Sequence, residues 1–384
     1  MNEKITLSGV PETMLQTVYA RARESAGRGA IRDERAEELI ARLDYDFSLA
    51  EKDTAMRSGV IARTIVLDRL VGAWLAAHPG AVVVNIACGL DTRCFRMAGY
   101  RRWYDLDLPE TMAVRARLLP EGGAVSQLAM SAMDDWGGCI TERDAPVLVV
   151  IEGLTMYLSE AEVKRIFAVI AGRFDKATVF CETMNPTVAK RFQEKSIEGS
   201  HAKFTWGVRD GKTLAGLLPG FRFAEEHCLT EGMAAFVPVY RLLDKLPAVR
   251  NISNKIIVLE TIHSYVEQKA RRQKKLFLRL MCIPGLYKKV PGIFSEQTPK
   301  LFGVTAGFAA RDIQTTGGVW RIDMTKCPYH DASVHYGCPE LCHCFCGSDD
   351  ITYDGLHPKL YWHRTKTLGR GGDCCDFCLK LRDK

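Results

Sequence analysis

The run Val82-Val83-Val84-Asn85-Ile86, ending in Ala87-Cys88-Gly89, constrains this chain more than any other stretch. A Val-rich run of this kind reads as a strand buried on both faces, which a parallel sheet covered by helices provides. The small residues that end it let a backbone approach a ligand closely. About one strand–helix–strand step later, Trp103 to Leu108 reads as a second strand with Asp105 and Asp107 at its carboxyl end. Open parallel sheets bind ligands beyond the carboxyl ends of their strands, where an acidic side chain can hold both ribose hydroxyls. The pattern therefore points to a nucleoside-bearing cofactor. A dinucleotide would ask for G-x-G-x-x-G and a helix N-terminus aimed at its pyrophosphate. Only Gly89 meets that pattern, and Asp91 stands where a phosphate would meet a carboxylate. A cofactor without phosphate, S-adenosylmethionine, fits better. The plain alternative is an ordinary strand–helix turn with fortuitous acids.

Three further pieces fall at compatible spacings. Ser58 to Leu67, followed by Asp68, reads as a helix carrying Arg63 and Thr64 near the first strand. Ser131 to Trp136 (SAMDDW) is an acidic loop after a third possible strand, where adenine contacts are expected. Val147 to Ile151 reads as a fourth buried strand, ended by Glu152-Gly153 at the cofactor edge. Ser159 caps the next helix, with Glu162 as its capping-box partner.

Together these residues resemble a known family. Arg63-Thr64 with Asp68, Asn85 to Arg93, Asp105 to Pro109, and Glu152-Gly153-Leu154 with Tyr157-Leu158 are similar to the leucine carboxyl methyltransferases and their bacterial relatives, the polyketide-type O-methyltransferases. Pro219-Gly220-Phe221 and the segment Arg241 to Pro247 extend the likeness, which covers about Val10 to Leu259. It implies a Rossmann-like α/β methyltransferase. By the same resemblance Arg63 and Glu152 contact the methionine part of the cofactor, Ala87 and Gly89 line its backbone side, and Asp107 with Asp105 holds the ribose. Two departures stand out. The family's glycine-alanine-glycine turn reads Ala87-Cys88-Gly89, and Ala132-Met133 replaces an acidic residue before the adenine-loop leucine. Adenine recognition then shifts to Asp134 or to a backbone amide of that loop, beside Met133. For the acceptor, His201 lies where the family shapes its pocket and Tyr157 is placed to position a substrate. A surface histidine and a packed aromatic are the plain readings of the same two residues. The lack of an evident base favours a carboxyl or thiol acceptor over an alcohol or phenol.

At 384 residues the chain exceeds one typical core. We expect a methyltransferase domain over 1–260, a basic helical connector over 261–302 and a cysteine-rich domain over 303–384. No apolar run reaches membrane-span length and the start MNEKITLSG lacks a signal-peptide core, so a cytoplasmic location is expected. The net charge of +6 is modest and implies no nucleic acid. That charge is uneven: from Lys245 to Lys300 twelve Lys or Arg face three Glu. Mixed with Leu, Phe and Ile, the segment reads either as a basic amphipathic helix for weak contact with a membrane surface or an acidic partner, or as a connector whose apolar stripe packs on a neighbouring domain. Pro284, Pro291 and Pro299 are expected to end it.

Eight of the fourteen cysteines lie between Cys327 and Cys378. In a cytosolic chain such density points to metal or thiol chemistry rather than disulfides. Cys338, Cys342, Cys346, Cys375 and Cys378 are candidate ligands of zinc or another thiophilic metal. A reactive thiolate beside His335, His343 or Arg370, or simply buried inert cysteines, are the alternatives. Cys327-Pro328-Tyr329, Cys338-Pro339-Glu340-Leu341, Cys346 with Asp349-Asp350, His357-Pro358 and Gly371 to Phe377 resemble the L-2-amino-thiazoline-4-carboxylic acid hydrolases, over about Gly303 to Lys384. The resemblance implies ring opening by water, with Cys346, Asp349 and Cys375 as site residues. We expect a small α+β domain, helices first, then an antiparallel sheet including Trp320 to Met324 and Lys359 to His363, with the cysteines on loops. The whole reads as an S-adenosylmethionine-dependent methyltransferase of a small-molecule acceptor, whose C-terminal domain shapes or processes that acceptor. Alternatives are a bifunctional methyltransferase and thiazoline-type hydrolase, a metal sensor on a methyltransferase scaffold, or a protein carboxyl methyltransferase. The oligomeric state is left open.

Overall fold

A computed structural model describes residues 3–4, 13–142, 144–191, 203–314, 318–335 and 339–382. The chain divides into two compact units, Met1–Thr261 and Ile262–Lys384.

The first unit is built on a seven-stranded sheet: β1 (Ala81–Ile86), β2 (Tyr100–Asp107), β3 (Val125–Ala129), β4 (Val147–Ile151), β5 (Ala177–Thr183), β6 (Phe221–Cys228) and β7 (Lys255–Thr261). Its order is β3-β2-β1-β4-β5-β7-β6, and β7 runs against both its neighbours. The chain moves outward from β1 to β3 and then returns to β4, so the order reverses between β1 and β4. A crevice opens at such a reversal, outside the carboxyl ends of the strands. Ala87 to Gly89 leave β1 there and Glu152-Gly153 leave β4.

Burial explains the apolar runs. Every residue of β1, β4 and β5 is buried. Alternation assigns Val82, Val84 and Ile86 to one face of the sheet and Ala81 and Val83 to the other. On the second face lie Ala62, Val66, Leu67, Val71 and Leu75 of one helix, α2 (Thr54–Ala77), which follows α1 (Thr13–Ala26). Asp53 caps α2 by accepting the Met56 amide at 2.9 Å. On the first face lie Val163, Ile166, Phe167 and Ile170 of α3 (Glu160–Arg173), whose Ser159–Glu162 capping box is formed as expected. Truncating a fully packed ring such as Phe167 to Ala would cost about 3–5 kcal/mol. The fold is α/β, as read from the sequence.

The second unit has helices α4 (Ile262–Met281), α5 (Leu286–Leu301) and α6 (Cys342–Tyr353) with strands β8 (Ala309–Gln314), β9 (Val319–Lys326), β10 (Leu360–His363) and β11 (Cys375–Leu381). These strands form an antiparallel sheet in the order β8-β9-β11-β10. Three expectations need correcting. The segment expected to connect two domains belongs to this unit's core, where Val290 is buried and the Phe294 ring meets Trp320 at 5.1 Å. Pro291 and Pro299 do not end a helix but lie inside α5. Each removes one backbone hydrogen bond, and packing of Tyr287, Val290 and Phe294 on the sheet side holds the helix through them. Most of the described cysteines are not on loops: Cys342, Cys344 and Cys346 are buried in α6, and Cys375 and Cys378 belong to β11, while Cys327 and Cys374 do lie on connecting segments. Among the described residues, no helix is long and apolar enough to cross a membrane.

Candidate active site

A cavity of ≈ 210 Å³ occupies the crevice of the first unit. Arg63 comes from α2, Ala87, Gly89 and Asp91 from the turn after β1, Asp107 from the end of β2, Met133 from the loop after β3, and Glu152 and Gly153 from the end of β4. The turn after β1 is wound tightly. Ala87 has φ 54° and Gly89 φ 48°, the left-handed region. Side chains are disfavoured there, by roughly 1–2 kcal/mol for Ala87. The Gly89 amide donates to Asp107 Oδ2 at 2.8 Å, and the Leu108 amide to Oδ1 at 2.7 Å. A Cβ on Gly89 would stand 3.0 Å from the Cβ of Met14. Asp107 thus fixes the turn while facing the cavity, and burial raises its carboxyl above the usual range.

Charges of alternating sign line the other side. Arg63 Nε lies 2.6 Å from Glu152 Oε1, and its Nη1 donates to Glu182 Oε2 at 3.0 Å. Arg93 Nη1 bridges Glu152 and Asp91, the latter at 2.9 Å, while its Nε donates to Asp68 at 2.7 Å. Burial works against charge on Glu152, but Arg63 and Arg93 outweigh it and hold that carboxyl below its ordinary value. Asp91 is lowered in the same way, with Arg93 the main cation against burial. Buried charges are tolerable only when paired like this.

A second cavity of ≈ 140 Å³ shares Thr13, Thr17, Arg63 and Gly153 with the first. Met56, Val60, Tyr157, Glu182, Met184 and Phe204 are among its other wall residues, with Gln16 and Asn254 adding polar atoms. The Tyr157 ring sits 5.4 Å from that of Phe204. Glu182 accepts the Gly153 amide at 2.8 Å as well as Arg63, and burial raises its carboxyl.

In the second unit, Cys327, Cys346, Asp349, Tyr353 and Cys375 line a cavity of ≈ 330 Å³ with Tyr265, Phe345 and Phe377. The Cys346 thiol is drawn down to about 5, first by the Cys375 thiol, placed to donate to it, against burial and with help from Arg364. Cys375 is correspondingly pushed up, and the Leu368 amide donates to its sulfur at 3.3 Å. Burial lifts Asp349 to about 7, although Arg364 Nη1 lies 3.5 Å away. A thiol drawn down and a carboxyl raised by burial therefore face one cavity.

The family profile of leucine carboxyl methyltransferase matches residues 14–171, and that of L-2-amino-thiazoline-4-carboxylic acid hydrolase matches residues 231–379. The tetracenomycin polyketide synthesis O-methyltransferase TcmP of Streptomyces glaucescens is 38% identical over 232 residues, covering 59% of this chain and 85% of that protein. The chain belongs to the leucine carboxyl methyltransferase family. The S-adenosyl-L-methionine-dependent methyltransferase dpfgK of Gibberella zeae is 28% identical over 247 residues, 58% of this chain and 83% of that one. The solved magnesium protoporphyrin IX methyltransferase (ChlM) from Synechocystis PCC 6803 has a TM-score of 0.36 and 14% identity, covering 64% of this chain and 99% of that chain.

This leucine carboxyl methyltransferase family member is an S-adenosylmethionine-dependent methyltransferase, and the crevice cavity gathers most of the residues expected at its cofactor. Arg63, Ala87, Gly89, Asp91, Asp107, Met133 and Glu152 all line it. Asp105 does not. It lies two residues further from the strand end, fully buried, where Arg115 Nη2 approaches it to 2.8 Å and Trp103 Nε1 and Asn85 Nδ2 donate to it. Burial raises its carboxyl to about 7, and its bonds run to Arg115, Trp103 and Asn85 rather than to the cavity. Asp134 is also off the wall: exposed, it accepts the Ser131 amide at 2.9 Å and closes its own loop. His201 and Cys338 lie outside the described residues.

The described members of the expected metal set, Cys342, Cys346, Cys375 and Cys378, do not assemble into one. Among the described residues, the one group of ligand atoms close enough to hold an ion is Cys94, Asp105 and Glu121, not Cys342, Cys346, Cys375 and Cys378. Arg115 already fills that group, its Nη2 standing 2.8 Å from Asp105 and 2.5 Å from Glu121. The C-x-x-C of Cys375 and Cys378 lies on a strand, where residues three apart point to opposite faces. The sequence reading missed Asn85, Glu182, and Thr17 and Arg21 of α1. Asn85 and Glu182 carried a signal, being polar residues at buried positions of apolar strands. α1 carried none that separates a helix over a site from one beside it.

Proposed function

We propose that the methyltransferase unit delivers the methyl group to an oxygen of a small, apolar acceptor held in the ≈ 140 Å³ cavity. The observation that carries this reading is the shared wall: Arg63 and Gly153 face both cavities. The residues present suit S-adenosylmethionine. Arg63 and Glu152 would hold the carboxylate and ammonium of its methionine part, and Asp107 the ribose hydroxyls, while the left-handed turn at Ala87 and Gly89 leaves backbone rather than side chain at the wall. Bound, the cofactor supplies a methyl carbon already activated on a sulfonium. The chain's task is then alignment and exclusion of water. Met56, Met184 and Phe204 make the acceptor seat apolar, Tyr157 orients what enters, and Glu182 keeps Arg63 and the Gly153 turn in place. Oxygen is favoured over sulfur by the name of the TcmP relative, an O-methyltransferase of polyketide synthesis. Incubation with methyl-labelled cofactor and a panel of phenols, carboxylates and thiols tests it. Label appearing only on thiols, or on no acceptor while calorimetry shows cofactor bound, would overturn the reading.

A second activity is supported by the cysteine cavity. Cys346 as thiolate would attack an sp² ring carbon bound to nitrogen or sulfur, and Asp349 would protonate the departing heteroatom. Water would then displace the Cys346 sulfur, restoring the thiolate and Asp349. The described cysteines are all free, which suits a reducing, cytoplasmic setting. Loss of thiazoline absorbance with the native chain, and not with Cys346→Ala, would support this; equal rates would remove it.

A further inference from the structure

The helical hairpin of α4 and α5 presents a surface that neither cavity uses. Its inner side is accounted for: Val266 and Ala270 are buried, Phe277 stacks on Tyr353 at 5.9 Å, and Tyr287 stacks on His357 at 4.1 Å. The other side is not. Leu276, Leu280 and Ile283, spaced by four and then three residues along α4 and its end, are 55%, 41% and 52% exposed. Exposed Arg272, Lys275 and Arg279 flank them, and Lys288 and Lys289 follow beyond the turn at 282–285. From Gln268 to Ser295 there are eight Lys or Arg and no Asp or Glu. Arg271 is paired with Glu267 at 2.6 Å, and among the described residues no ion pair joins Arg272, Lys275, Arg279, Lys288 or Lys289.

Two costs therefore coincide on one tip: cations without counter-charges, and branched apolar side chains in water. A nucleic acid would relieve the first and leave the leucines wet. A surface that is negative and apolar a few ångströms deeper relieves both, which describes the headgroup zone of an anionic bilayer. We propose that this hairpin tip docks the protein on anionic lipid, lying in the headgroup region without crossing it.

Sedimentation of the full chain with vesicles tests this. Binding to equimolar phosphatidylcholine and phosphatidylglycerol vesicles, weakening as salt rises, and absence of binding to phosphatidylcholine alone are expected. Arg272→Ala, Lys275→Ala and Arg279→Ala together should weaken that binding about 100-fold, since each cation near such a surface contributes roughly 1 kcal/mol. Leu276→Ser, Leu280→Ser and Ile283→Ser together should abolish the binding that persists at high salt while leaving the thermal midpoint unmoved, because the three side chains are exposed. Equal binding to both vesicle types, or binding indifferent to both sets of substitutions, would overturn the proposal. So would lipid-free self-association removed by the leucine substitutions, which would assign the face to a second copy.

Discussion

Arg63 stands between two carboxylates, the half-buried Glu152 and the buried Glu182, and is shared by two cavities. Replacing Glu152 by Gln removes one charge-assisted partner and should weaken S-adenosylmethionine binding about 10–100-fold in calorimetry, the range such bonds support. At Cys346 the expected outcome is a pH profile. The thiolate dominates above about 5, so alkylation of Cys346 should rise through that pH and stay flat to pH 8, whereas an ordinary thiol is still rising there. Cys375→Ala removes the donor that lowers Cys346, and alkylation at pH 6 should fall at least about tenfold. Mass spectrometry of the labelled peptide reads both. Legibility at this scale followed chemistry. Asp107 showed in the sequence because it ends a strand, and Arg63 and Glu152 because their motifs resemble the family. Asp105 misled because sequence does not say how far from that end the covering helices reach, and Arg115, its partner, lies in a helix with no pattern of its own.

Helix α1, besides its apolar packing, is tied down by a buried ion pair. Arg21 Nε donates to Asp33 Oδ2 at 2.9 Å and its Nη2 to the Leu90 carbonyl at 2.7 Å, while Thr92 donates to the same Asp33 oxygen at 2.7 Å. Burial raises the Asp33 carboxyl, but Arg21 and Arg96 outweigh it and the carboxyl is lowered. A carboxyl lowered on folding contributes stability above its unfolded value near 4 and loses it as the pH falls through its folded value. The attachment of α1 should therefore hold at neutral pH and weaken progressively below about pH 4. Asp33→Asn should cost about 3 kcal/mol at pH 7, and amide exchange within Thr13–Ala26 should accelerate in that variant. Among the elements, β1 and β4 were legible because valine runs admit few other folds. α5 was not: Pro291 and Pro299 argue locally for a break, and contacts with Trp320 and its neighbours, distant in sequence, decide otherwise.

On the scale of the whole molecule, two units with separate cores should unfold separately. Calorimetric scanning is expected to show two transitions, with saturating S-adenosylmethionine raising only that of Met1–Thr261, by about 2.7 kcal/mol at a hundredfold excess over Kd. A single transition moved as one by the cofactor would show the units to be coupled. The α/β class of the first unit was legible because its motifs fall at strand–helix spacings. The cysteine-rich unit was legible as composition but not as geometry, since whether a C-x-x-C lies on a turn or a strand decides what its sulfurs can meet. The same contrast gives Arg115 its interest. A thiol and two carboxylates converge there as they would around zinc, yet the positive centre is tethered to the polypeptide. No chelator can strip it and no scarcity of trace elements can leave it vacant. This part of the protein inherits its cation at translation rather than acquiring it from the cell.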